Sequence, residues 1–139
     1  MDELVVVAPS RLGQRQAEEA FDRAEPYQIV RIPALNGALF AHIWGFWAKR
    51  LVQKYGITQV FHAQWQTANP SIALHQGQHI SSFFIALHGR ELLFNPFAGF
   101  VGLRNWYSHQ MAKTLSTAHH IFSNSHYSAS LVDQAGIQT

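Results

Sequence analysis

The sequence predicts an α/β domain on a mainly parallel sheet, and three observations carry that prediction. Short apolar runs bounded by turn residues alternate with longer helical patterns, the order required by parallel strands joined through crossover helices. One run, Ser82 to Leu87, is almost continuously apolar, as a central strand covered on both faces should be. The 139 residues are 47% hydrophobic and 13% charged. That is ample material for one core, with about half the charge of an ordinary soluble domain (roughly 25%). So little charge implies apolar surface in want of a partner.

The first strand is Leu4 to Val7, which Ala8, Pro9 and Ser10 should stop. Arg11 to Glu25 lacks an apolar stripe and reads as a loop with a short helix around Gln16 to Arg23. Tyr27 to Ile32 is the second strand, and Asn36-Gly37 signals the turn before a helix over Leu39 to Lys54. In that helix Phe40, Trp44, Trp47, Leu51 and Tyr55 recur at three or four residues and predict one broad buried face. Gly56 ends the helix, and Ile57 to His62 is the next strand. Asn69-Pro70 reads as an N-cap and first helical residue, opening a short helix that Gly77 closes.

After the Ser82–Leu87 strand, a Pro- and Gly-containing loop over Leu92 to Gly102 leads to a helix from Leu103 to Thr117. Its expected inner face is Leu103, Tyr107, Met111, Leu115 and Ala118. His120 to Ser123 is a short strand, followed by a helix over Tyr127 to Gln134 capped by Asn124 or Ser125 and ended by Gly136. No repeat or linker divides residues 1–139.

Charge narrows the function classes. Six of the eight acids precede Pro26, so the rest of the chain carries Glu91 and Asp133 against seven bases. Those bases, Arg31, Lys49, Arg50, Lys54, Arg90, Arg104 and Lys113, are scattered. A small phosphate-bearing ligand fits that spread better than nucleic acid. The absence of cysteine excludes disulfides and a thiolate nucleophile. Met1-Asp2-Glu3 is the wrong start for a signal peptide, and Leu92 to Leu103 is too short and broken to span a bilayer. Cytoplasmic placement is the expectation, with a peripheral position at the inner membrane face as the alternative.

Open α/β sheets bind ligands beyond the carboxyl ends of their strands. There the sequence places Gln64 and Trp65, then His88, Gly89, Arg90 and Glu91, then Ser123, Asn124 and Ser125. A neutral His88 can donate to a sugar hydroxyl or orient a reacting group; alternatively it caps a strand. Gly89 permits close approach of a ligand, and Arg90 can bind phosphate or pair with Glu91. Trp65 can stack on a sugar face or serve the core. The loop Leu92 to Gly102 can pack under the domain or form a lipid-facing entrance. His75 and His79 lack the glutamate of a zinc helix, and His119 and His120 point oppositely, so no metal is assigned. Walker A, G-x-G-x-x-G and G-x-S-x-G sequences are all missing.

In order and spacing, Val5 to Pro9, Tyr27 to Pro33, Gln59 to Trp65, Phe84 to Glu91, and Ile121 to Ser125 with Leu131 and Gly136 resemble a known family. The chain is similar to the N-terminal, acceptor-side domain of GT-B glycosyltransferases in the glycogen-synthase-like family 4 group. The resemblance implies a Rossmann-like three-layer α/β/α fold with a mainly parallel sheet, lacking the usual first strand and helix. It implies retaining transfer from a nucleotide-sugar donor to a sugar or lipid-linked acceptor, without a cofactor or catalytic metal. His88 would contact the donor sugar as the catalytic histidine, Gly89, Arg90 and Glu91 would shape the sugar site, Gln64 and Trp65 would line the acceptor side, and Ser123 and Ser125 would border the cleft. The donor-binding C-terminal domain of the family is absent from these residues, so the isolated chain is expected to be inactive. Loss of the central first strand would leave two unpaired edges or force direct closure, and unpaired edges favour a homodimer or strand exchange. The competing expectation is a non-catalytic module presenting Trp65, Phe94, Phe97, Phe100 and Trp106 to a protein or lipid.

Overall fold

The computed structural model describes residues 4–10, 13–33, 37–93, 95–97 and 99–137, without the side chains of 37–39 and 91. Strands β1 (Val5–Ser10), β2 (Gln28–Pro33), β3 (Gln59–His62), β4 (Ser82–Leu87) and β5 (His120–Ser123) alternate with helices α1 (Arg15–Ala24), α2 (Gly37–Tyr55), α3 (Asn69–Gln76), α4 (Arg90–Leu93), α5 (Val101–Thr117) and α6 (His126–Gln134). The protein is thus α/β with parallel sheets. The strands form two sheets, β1-β2 and β3-β4-β5, every pairing is parallel, and no ladder joins the two sheets among the described residues.

In the first sheet, β1 and β2 pair from Val5–Gln28 to Ser10–Pro33. Alternation sends Val7, Val30 and Ile32 toward the core and α2. It sends Ala8, Ser10 and Arg31 toward α1, where Ser10 Oγ donates to Glu18 at 2.7 Å. Arg31 forms a fork with Asp22 of α1, Nε to Oδ2 at 3.0 Å and Nη2 to Oδ1 at 2.5 Å. Pro9 does not end β1 as expected; it continues the strand opposite Ile32. Among the described residues the strand pairs on one side only, so the N–H that proline lacks need not find a partner. Helix α1 also extends past the short segment the sequence predicts, although none of its residues is buried.

The second sheet is built around β4. Phe83, Ile85 and Leu87 are all fully buried, and with Val60, His62 and Ile121 they form its inner face. Each of these apolar side chains contributes roughly 1.5–3 kcal/mol by leaving water. The outer face is different. Phe61, Phe84 and His120 run across the sheet in register, with Phe122 beside them, and Phe61 remains 60% and Phe122 48% exposed. Helices on both faces, as expected of a three-layer fold, therefore hold for β1-β2 but not, among the described residues, for β3-β4-β5.

Helix α2 connects the two regions. It packs on β1 and β2, while Trp44 meets His62 of β3 edge-on at 6.4 Å and its indole N–H donates to Thr67 O at 3.0 Å. The buried face uses Trp44, Ala48, Leu51 and Val52; Trp47, expected inside, stands 45% exposed beside Arg50. Likewise Leu103 of α5 is exposed, so the inner face of that helix starts at Tyr107 and continues through Met111 and Leu115. The expected loop over Leu92 to Gly102 is shorter, because Leu92 and Leu93 belong to α4 and Gly102 to α5. Asn69 does not cap α3; Ala68 precedes the helix, and the Asn69 carboxamide oxygen accepts from Thr114 of α5 at 2.7 Å.

Candidate functional site

At the carboxyl end of β4 the chain turns through His88 and Gly89. Gly89 has φ +88°, and a Cβ built on it would lie 2.7 Å from Ser128 Oγ. Only glycine fits, both for its conformation and for the approach of α6. At the end of β5, Ser125 rather than Asn124 caps α6, its oxygen accepting from Ser128 N at 3.1 Å. The cap leaves Asn124 available to reach back toward β4.

The hydrogens in this cluster can be ordered. Ser128 Oγ gives its hydrogen to Asn124 Oδ1 at 3.0 Å, so the 3.0 Å contact with Ser125 Oγ must use the hydrogen of Ser125. Asn124 Oδ1 being the acceptor, its amide nitrogen faces His88 Nδ1 at a long 3.4 Å. An amide nitrogen only donates, so His88 Nδ1 is the accepting atom of this contact. A run of hydrogen bonds, Ser125 to Ser128 to Asn124, thereby leads to an exposed histidine at a strand end.

The structure therefore gathers His88, Gly89 and Ser125 in one cluster, with Ser123 next to it as the last residue of β5, opposite Leu87. Arg90 is exposed at the start of α4. The Glu91 side chain, Phe94, and the turn residue Asn36 lie outside the described residues. Ser128 is the functional candidate that sequence reading missed, and Asn124, placed at the strand end, was given no role as a ligand contact. The signal for Asn124 was its place directly after a strand; nothing local marked Ser128.

Gln64 and Trp65 belong to a neighbouring arrangement at the end of β3. Trp65 is 3% exposed and packs edge-on against Tyr107 at 5.1 Å, so its ring supplies core area and offers no open face to a sugar. Gln64 is exposed, and its carbonyl accepts from Thr67 Oγ1 at 2.9 Å. Having spent its hydrogen there, Thr67 Oγ1 accepts from His62 Nδ1 at 2.9 Å, and His62 Nε2 in turn accepts from Ser71 at 2.8 Å. His62 is 4% exposed, and burial lowers its pKa to about 4. It is a neutral structural ring holding the Gln64 turn against α3. No three histidine or carboxylate side chains converge as metal ligands among the described residues. No helix among them is long and apolar enough to cross a membrane.

Comparison with protein families, curated proteins and solved structures finds no match to this chain.

Proposed function

We propose that the chain is the acceptor-side half of a retaining glycosyltransferase that uses a nucleotide-sugar donor, with its cleft completed by a donor-binding domain. The observation that carries this reading is His88: it stands at the carboxyl end of the buried strand β4, where open α/β sheets bind ligands, and Asn124 orients its ring. An imidazole N–H donates to a sugar hydroxyl, Gly89 lets Ser128 of α6 close on the turn that presents His88, and the exposed Arg90 supplies positive charge. Ser123 and Ser125 stand at the neighbouring strand end, with Gln64 on the acceptor side. Two parallel sheets with no ladder between them among the described residues support a Rossmann-like half-domain reading. The partner domain contributes the groups that stabilise the diphosphate leaving group, so the isolated chain does not turn over.

The test is nucleotide-sugar turnover by the product of the whole reading frame that carries this segment. His88→Ala abolishes transfer while leaving the thermal midpoint in place. A wild-type product that binds nucleotide-sugars and never transfers the sugar rejects the enzyme reading. That result would favour a second reading, an interaction module, which is supported by Phe100, Val101, Leu103 and Trp106, between 48% and 68% exposed around the start of α5.

A further inference from the structure

A side chain closes the amino end of β4. Phe83, 0% exposed, stands one residue before the first β4–β5 pair, Phe84–His120. It is tied to His119 twice: the His119 N–H donates to Phe83 O at 3.0 Å, and the Phe83 N–H donates to His119 Nδ1 at 3.3 Å. The imidazole thus takes the place of a ladder carbonyl, and a buried main-chain N–H depends on it. A ring that accepts at Nδ1 is neutral, with its hydrogen on Nε2. His119 itself is exposed, so water reaches the ring but not the N–H it serves. Against it lies His75 of α3, the ring centroids 4.5 Å apart and the planes at 88°. His75 Nδ1 is shut off from solvent and has no hydrogen-bond partner.

We propose that His119 is a proton-operated clasp on β4, holding the Phe83 N–H when neutral and turning to His75 when protonated. Once Nδ1 carries a hydrogen, both ring nitrogens are donors and neither can accept from Phe83. The new Nδ1–H finds its acceptor in the unpartnered Nδ1 of a neutral His75. One proton from water is bound, one hydrogen bond is lost at Phe83 and one is gained at His75. Neighbouring groups leave this exchange to the two rings. His79 lies over Gly77, His120 faces Phe122 on the other side of the sheet, and His62 is buried beyond Phe83. On the helices packed against α3, the groups charged near neutral pH are exposed: His42, Lys49, Arg50 and Lys54 of α2, and Arg104, His109 and Lys113 of α5. On α6, which packs on β5, His126 and Asp133 are exposed, and Asp133 forms no ion pair with either ring among the described residues. No carboxylate therefore fixes a charge at the pair in advance, and the surrounding cations oppose charging both rings together.

The ladder that His119 and Phe83 begin ends at Leu87 and Asn124, so the clasp lies at the opposite end from His88 and stands independently of sugar transfer. Its test follows amide exchange and imidazole nitrogen signals in the whole chain between about pH 8 and pH 5, the span over which imidazoles change charge. Ile85, inside the same ladder, is the internal reference, because it shares any loss of global stability. Toward the acid end, protection of the Phe83 amide, corrected for its intrinsic rate, is expected to fall below that of Ile85 by a further factor on the order of ten, the scale of one hydrogen bond. Over the same span the His119 ring is expected to pass from hydrogen on Nε2 alone to hydrogen on both nitrogens. His119→Asn offers a carboxamide oxygen in place of Nδ1 and gains no proton, so the extra fall should vanish. His75→Leu removes the receiving nitrogen and should shrink it. Equal losses at Phe83 and Ile85 in the wild-type chain overturn the proposal, since the sheet then opens as a whole. An extra fall that persists in His119→Asn also overturns it and assigns the proton to His62, whose ring stands 6.3 Å from that of Phe83. A His119 ring with its hydrogen on Nδ1 at the alkaline end refutes the clasp without any variant, and an undiminished response in His75→Leu refutes the turn to His75.

Discussion

The two sheets share parallel pairing and little else. β1-β2 lies between two helices, yet α1 contributes no buried residue and is held by directional polar ties, Ser10 to Glu18 and Arg31 to Asp22. β3-β4-β5 has one covered face and is held by burial, with Phe83, Ile85 and Leu87 all at 0% exposure. Layer count and cohesion therefore run in opposite directions in this protein. Burial makes the three-stranded sheet the last part to open, while the two-stranded sheet, with few apolar contacts, belongs to the low-stability end of local unfolding.

The largest way to break that contrast is Phe83→Ala. It should cost about 3–5 kcal/mol, read in urea unfolding, because the cavity opens where nothing can collapse into it. A cost near that of a surface change would put the cohesive centre elsewhere.

The second test is acidification. Burial lowers the pKa of His62 to about 4 in the folded protein, against an ordinary imidazole value of 6.5. Its contribution is therefore complete above pH 6.5 and is lost as pH falls from there through 4, the unfolded chain taking up the proton first. The loss amounts to about 3 kcal/mol at 1.36 kcal/mol per unit. His62→Gln should flatten unfolding free energy across that window.

Smaller again is Gly89→Ala, which forces an L-residue into left-handed backbone for about 1–2 kcal/mol and pushes Ser128 aside. Its diagnostic is the imidazole NMR signal of His88, which should shift when Asn124 is released. The smallest global effect belongs to Arg31→Met. It should free α1, speeding amide exchange in Arg15–Ala24 while leaving β4 untouched. Asp22 has its pKa held down mainly by the hydrogen bond from Arg31, so acid below the ordinary carboxylate range sharpens the same point. The α1 tie persists above the ordinary carboxylate range and weakens as pH falls through the lowered pKa of Asp22.

What the sequence disclosed follows from how local each cause is. The strand His120–Ser123 and the buried run Ser82–Leu87 were legible because their patterns lie within six residues. Pro9 misled because proline breaks strands only where its N–H is needed, and whether it is needed depends on the neighbouring strand. Trp47 stands outside the buried face where spacing put it, and Trp65 takes the core place that was one of its two readings. Trp47 is spaced correctly for the buried stripe of α2 but lies at its margin, and Trp65 is sealed by Tyr107, 42 residues later. His88 could be placed at a strand end from sequence. Its orientation could not, since it depends on Asn124, 36 residues away, and on Ser128 behind it.

The contact of Trp44 with His62 has an optical consequence. The indole stands 6.4 Å from a ring that is neutral at ordinary pH and whose pKa is about 4. A charge arriving there draws electron density from the excited indole, so the emission of Trp44 should dim as His62 gains its proton, before the backbone unfolds. Among the tryptophans, this one carries a built-in reporter of the junction between the two sheets. A Trp44-only variant, with Phe at 47, 65 and 106, would record in a fluorimeter the moment at which that junction becomes charged.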